Sequence, residues 1–133
     1  MRRLKLLFPL LGILLLLAST SLGCRHQNYQ QGERIYVAYC ANCHMEDGSG
    51  LVDLIPPLDS ARLTLSTPEK LVCLLRNGLP VNTLTGQEMP GNTSMTDVEL
   101  TNLINFLGAE YGRNRQTVKV TEVKKMLADC QSG

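Results

Sequence analysis

Cys40, Cys43 and His44 stand together in "YCANCHMEDGSG", residues 39–50 of this 133-residue chain. Such a trio can grip a metal, exchange thiols, or attach a porphyrin. The spacing favours the last. Cysteines three positions apart on a helix lie nearly on one face. Each thiol can then add to one vinyl group on the same porphyrin edge. The next residue, His44, falls below the ring with its imidazole aimed at the iron. C-x-x-C-H in an exported chain reads as a c-type haem attachment site. Zinc would need two further ligands, and adjacent Cys43 and His44 are awkward to turn onto one tetrahedral ion. There is no second C-x-x-C. A thioredoxin-like thiol pair would want a βαβ pattern nearby, and none is visible. The plainest alternative is a structural disulfide beside a chance histidine.

A haem iron takes a sixth ligand or stays open to a small molecule. The chain offers His26 and five methionines. Met1 departs with the leader described below. Met45 adjoins His44 and cannot reach the opposite face of a ring. Met126 falls in a terminal helix, and His26 reads as a solvated linker residue. Met89 lies in "TGQEMPGN", a loop punctuated by Gly and Pro. Met95 immediately precedes a helix start and reads as a hydrophobic contact at the cap. Met89 is the favoured ligand, with a plain loop methionine as the alternative.

The compartment follows from the beginning of the chain. A basic start, Met1 to Lys5, precedes thirteen almost wholly apolar residues, Leu6 to Ala18. Crossing a bilayer takes about 20 apolar residues, so the run suits a signal-peptide core. An uncleaved anchor is the alternative, because the apolar character trails on to Gly23. "STSLGC", residues 19–24, then resembles a bacterial lipobox, in which Cys24 is lipidated and becomes the first mature residue. Ser21 departs from the aliphatic residue that pattern prefers, with Leu22 one place later. Ordinary cleavage without lipid is the alternative. Cleavage before Cys24 leaves 110 residues, with 10 Lys and Arg against 12 Asp and Glu, a net charge of −2. No basic run interleaved with aromatics is present, which argues against nucleic acid as a partner. Such a length buries only a small core. With four Tyr, two Phe and no Trp, a bound apolar cofactor would supply much of what that core lacks.

Several elements must position these residues. Tyr36, Tyr39, Cys40 and Cys43 recur at i, i+3, i+4, i+7, predicting one helical stripe. Gly48 and Gly50 break that helix, and Pro56-Pro57 keeps the following loop extended. "STPEK" starts a second helix with Thr67 as cap, Leu71, Leu74 and Leu75 as core face, and Gly78 as stop. "TDVE" is a capping box, Thr96 to Glu99. It opens a helix whose Leu100, Leu103, Ile104 and Leu107 face the core. Beyond Tyr111, Gly112 to Lys119 is polar and reads as crossing the surface. Val123, Met126, Leu127 and Cys130 predict a short helix docking an apolar face. Cys73 points away from the leucine face of its helix by roughly half a turn. A cysteine on an outer face and another on a docking stripe suggest a Cys73–Cys130 disulfide, an even pair suited to an oxidising compartment. Two free thiols are the alternative.

Three stretches carry a family resemblance: "GERIYVAYCANCH", "DGSGLVDLIPPL" and "EMPGNTSMTDVELTNLINFL". They resemble, respectively, the first helix, the pocket loop, and the ligand strap with last helix of class I, mono-haem, bacterial exported cytochromes c. The match runs from about Gly32 to Tyr111. The resemblance implies an all-α, cytochrome c-like fold around covalent haem c, with His44 and Met89 on the iron. It implies that the Pro56 carbonyl accepts a hydrogen bond from His44, with Pro57 the nearest competitor. It sets Gly32 and Tyr36 at helix-packing positions, with Phe106 against them. Met45 departs from the family, where Gly or another small residue is common. No Trp can meet a haem propionate, and Arg62 is the substitute.

The chain divides into a leader (1–23), a linker (24–31), a cytochrome c domain (32–111) and an extension with a short helix (112–133). Fixed axial ligands leave no open site for chemistry, so the reading is an electron carrier rather than an enzyme. It would sit on the periplasmic side of a bacterial membrane by a lipid on Cys24. There it would serve redox proteins or membrane oxidoreductase complexes, as a free shuttle or as a subunit. The rival reading is a haem c sensor or enzyme module with an open or displaceable sixth ligand.

Overall fold

The computed structural model describes residues 29–52, 54–59, 67–82, 86–112 and 117–130. The leader, Cys24, His26 and Arg62 lie outside the described residues. Helix α1, Gln30–Tyr39, begins inside the stretch read as linker. It packs chiefly on α4, Asp97–Glu110. Gly32 marks the crossing: a Cβ there would collide with the Asn102 carbonyl and with Phe106 Cβ. Only a glycine lets the two backbones come this close. One turn on, Tyr36 is buried between Phe106 and Tyr111, at ring-centroid distances of 5.5 and 6.0 Å. Phe106 therefore packs on the Gly32/Tyr36 side, as the resemblance implied.

The predicted stripe along α1 does not run through. The helix ends at Tyr39, and Cys40, at φ −118°, turns the chain into α2, the single turn Ala41–His44. Tyr36 is buried, while Tyr39 is 55% exposed and Cys43 is exposed. The break at Cys40 takes Cys43 off the line of α1, whereas Tyr39 lies before the break and is exposed within α1 itself.

Helix α3, Pro68–Asn77, starts on Thr67, whose hydroxyl accepts from the Lys70 amide, and stops at Gly78. Its buried residues are Leu71, Val72 and Leu75, while Leu74 is only half-buried. The predicted face missed Val72 because α3 is packed from two directions, by α4 and by α5, Val120–Asp129. Cys73 on α3 is disulfide-bonded to Cys130 just past α5, with Cα atoms 5.3 Å apart and 57 residues between them. A loop of that length gives roughly 4 kcal/mol on the chain-entropy model.

Two short strands, β1 (Gly78–Leu79) and β2 (Met89–Pro90), pair antiparallel, Leu79 opposite Met89. This small ladder was not foreseen. At α4 the capping box forms as read: Thr96 Oγ1 accepts from the Glu99 amide, and Glu99 accepts from the Thr96 amide. Leu100, Leu103, Ile104 and Leu107 are all buried. The segment before α5 corrects the sequence reading. Val118, placed on the surface crossing, is only 8% exposed. Asn105 clamps it, accepting from the Val118 amide at 2.8 Å and donating to its carbonyl at 3.0 Å. A side-chain amide can replace a missing backbone partner in this way, and α5 is thereby seated on the α3–α4 core.

Candidate functional site

Cys40 and Cys43 carry free thiols, so the structural-disulfide alternative is not formed. Cys40 is half-buried, and burial first, then the neighbouring Cys43, push its thiol up to about 11. It stays protonated at neutral pH. His44 closes α2, where its amide donates to the Cys40 carbonyl at 2.9 Å. Burial lowers the imidazole's pKa. The ring is thus held in the neutral form that ligates metals. Its Nδ1 is buried and has no hydrogen-bond partner.

The bond expected from His44 to Pro56 is therefore not made, and Pro57 does not replace it. The Ile55 and Pro56 carbonyls lie beside Gly50, where a Cβ would collide with the first and meet the second at 2.9 Å. The Gly50 amide in turn donates to the His44 carbonyl at 3.0 Å. Between them Met45 adopts φ 61°, ψ 161°. That region is essentially reserved for glycine and costs roughly 1–3 kcal/mol, which accounts for the small residue common in the family here. Tyr36 braces the turn, its hydroxyl donating to the Met45 carbonyl at 2.6 Å. Burial first and Tyr111 second raise the Tyr36 phenol far above its ordinary value.

Met89, on β2, is half-buried and packs against the hydrophobic core. Its strap is laid directly on the end of α3. A Cβ at Gly78, whose φ is +77°, would collide with the Met89 carbonyl, and one at Gly91 would meet the Arg76 carbonyl at 2.5 Å. The Asn92 amide donates to the Leu75 carbonyl at 2.9 Å. Arg76 spans the strap, donating to the carbonyls of Asn92 and Met95, each at 3.1 Å. Asn92 Oδ1 accepts from the amides of Ser94 and Met95, both at 3.0 Å. Met95 itself is buried in the core, in keeping with its reading as a cap contact. Sequence reading missed Arg76, Gly91 and Asn92. The one available signal was the Asn-Thr-Ser turn chemistry ahead of the α4 cap.

These residues fit a covalently attached haem better than they fit the alternatives. Among the described residues no group of three or more His, Cys, Asp or Glu could hold a metal ion, which removes the zinc reading there. A buried imidazole nitrogen without a partner is rare in a protein that uses the ring only for packing. Leu51, Val52, Leu54, Leu79 and Val81 expose apolar surface on the loops after α2 and α3, surface suited to covering a large apolar ring. A separate cavity lined by Asp47, Ser49, Asp59 and Tyr111 includes neither thiol, nor His44, nor Met89. It is not the attachment site.

Comparison with known proteins agrees. Residues 27–107 match the family model described as cytochrome c oxidase, cbb3-type, subunit III. The cytochrome c subunit of alcohol dehydrogenase (quinone) from Gluconobacter oxydans (strain 621H) is 29% identical over 102 residues, covering 71% of this chain and 21% of the relative. Its counterparts from Gluconacetobacter polyoxogenes and Komagataeibacter europaeus show the same identity, with 22% of each covered. The chain thus spans about a fifth of the length of the curated relatives it matches. The chain belongs to the family of the cbb3-type cytochrome c oxidase subunit III: it is a helical cytochrome c domain that holds haem c covalently and carries electrons.

Proposed function

We propose that Cys40 and Cys43 would make the two covalent links to haem, and that His44 and Met89 would ligate its iron and leave no position open to a small molecule. The observation that carries this reading is the pair of free thiols followed directly by a neutral imidazole whose buried Nδ1 lacks a partner. The bound haem supplies a one-electron couple. His44 is presented by α2, and Met89 by a strap pinned to α3. Histidine with a thioether favours the ferrous state and raises the potential. The apolar side chains of Leu51, Val52, Leu54, Leu79 and Val81 would cover the ring, and the water they exclude disfavours the extra charge on ferric iron.

The chain works beside a membrane. Among the described residues no helix is long and apolar enough to cross one. The tether is a lipid on Cys24, placed by export on the periplasmic side. Electrons pass through small, transient contacts with membrane oxidoreductases, quinone-linked dehydrogenases among them, as the relatives' descriptions suggest. Substituting Cys24→Ser will shift the protein from the membrane to the soluble fraction, and retention on the membrane would remove the lipid tether. Replacing Met89→Ala in the haem-loaded protein will lower the potential and let ferrous iron bind carbon monoxide. Unchanged carbon monoxide binding in that variant would refute Met89 as ligand.

A further inference from the structure

We propose that Arg76 is a positioning residue for the sixth ligand: its guanidinium fork holds the Met89 strap closed over the haem. This rests on Met89 being that ligand. Arg76 sits in the last turn of α3, half-buried. Its two terminal nitrogens reach different carbonyls of the strap, Nη1 to Asn92 and Nη2 to Met95. Both acceptors lie C-terminal to Met89, three and six residues on. The ladder with β1 fixes the strap at Met89 itself, and the Arg76 fork fixes its far end. A segment held at both ends presents its side chain in one place. Without the fork, the far end keeps one bond to α3, from the Asn92 amide to the Leu75 carbonyl, and the buried Met95 side chain.

Among the described residues, the other bonds given for the strap beyond Met89 do not duplicate the fork. Asn92 Oδ1 binds Ser94 and Met95, which stiffens the turn internally without tying it to α3. The Asn92 amide to the Leu75 carbonyl is one neutral bond. Arg76 contributes two charge-assisted ones, each about twice as strong as a neutral bond. A lysine keeps the charge but is a single point donor and cannot bridge both carbonyls.

The test uses the full-length haem-loaded protein and three variants: Arg76→Lys, Arg76→Gln and Met89→Ala. Readouts are carbon monoxide association with ferrous protein, the sulfur-to-iron charge-transfer absorption of the ferric form, and thermal unfolding. Measurements are made well below each unfolding midpoint. Positioning predicts that both Arg76 variants take up carbon monoxide where the parent does not, the strap opening about tenfold more often, the equivalent of one lost charge-assisted bond. It also predicts that both weaken the charge-transfer absorption, although Arg76→Lys retains the charge. If both variants unfold earlier with carbon monoxide uptake and absorption unchanged, Arg76 is structural only and the proposal fails. If Arg76→Lys behaves like the parent while Arg76→Gln does not, charge rather than positioning is responsible, and the proposal again fails. If Met89→Ala leaves carbon monoxide uptake unchanged, the ligand assignment falls and takes this inference with it. That result is distinct from one in which Met89→Ala opens the iron and the Arg76 variants do not.

Discussion

The two sides of the haem site are built differently. On the His44 side the polar supports come from one continuous stretch, α1 through α2 to Gly50, with α4 packed behind Tyr36. Its supports are near in sequence: Tyr36 reaches Met45, nine residues on, and Gly50 reaches back to His44. On the Met89 side the proposed ligand has almost no local structure. Its place is set by α3, through Gly78, Gly91, Leu75 and Arg76. A histidine on a helical turn is positioned once that turn forms. A methionine on a strap is positioned only when a distant helix end, two glycines and an arginine meet it. The first side should hold under perturbation, and the second should be the side that yields.

Gly78→Ala should give the largest effect and strike only the Met89 side. An alanine there meets both a positive φ and the Met89 carbonyl. We expect a loss of roughly 1–3 kcal/mol in denaturant unfolding, with carbon monoxide gaining access to the ferrous iron. Covalent haem content should be unchanged. Loss of that attachment in the variant would show that the two sides are not separable.

Tyr36→Phe probes the other side. Deleting the hydroxyl removes the bond to the Met45 carbonyl, and we expect about 1 kcal/mol of lost stability with no carbon monoxide binding. The pH dependence has a definite sign. The folded Tyr36 pKa lies above its unfolded value of about 10. Its protonated form therefore stabilises the fold fully below about pH 10, and the contribution drains away as pH climbs beyond that. Alkaline denaturation of the Phe variant should fall off less steeply. An equal slope would mean that Tyr36 does not carry the dependence.

The smallest effect is a gain. Met45→Gly releases a left-handed backbone from a side chain that does not suit it. Relief of strain and the added freedom of the unfolded chain oppose each other, and we expect a net stabilisation of about 1 kcal/mol. A destabilised variant would mean that Met45's side-chain packing outweighs its backbone strain.

The same contrast explains what could be read from the chain. The C-x-x-C-H group, the Thr67 and Thr96 caps, the α4 core stripe and the Gly32 crossing are local patterns or match the family closely. Each reads directly. The Cys73–Cys130 pairing followed from helix faces and from the even pair left over in an oxidising compartment. Misreadings fall where a distant element decides. Val72 is buried because α5 covers α3 from a second side. Val118 is buried because Asn105, thirteen residues away, satisfies its backbone. The stripe stops short of Cys43 because the backbone turns at Cys40, and no periodicity reports that. His44 Nδ1 has no partner, and no local pattern reports where the Pro56 carbonyl lies. Arg76 looked like an ordinary basic residue at a helix end, and only the folded strap gives it two acceptors.

The central claim is a haem iron closed by His44 on one side and Met89 on the other. Visible spectra of the unmodified protein, oxidised, reduced, and reduced under carbon monoxide, test it most directly. The protein must be produced in a host that attaches haem c. The account predicts low-spin spectra in both oxidation states and no change on adding carbon monoxide. A carbon monoxide shift in the unmodified protein would contradict it and point to an open or displaceable sixth position.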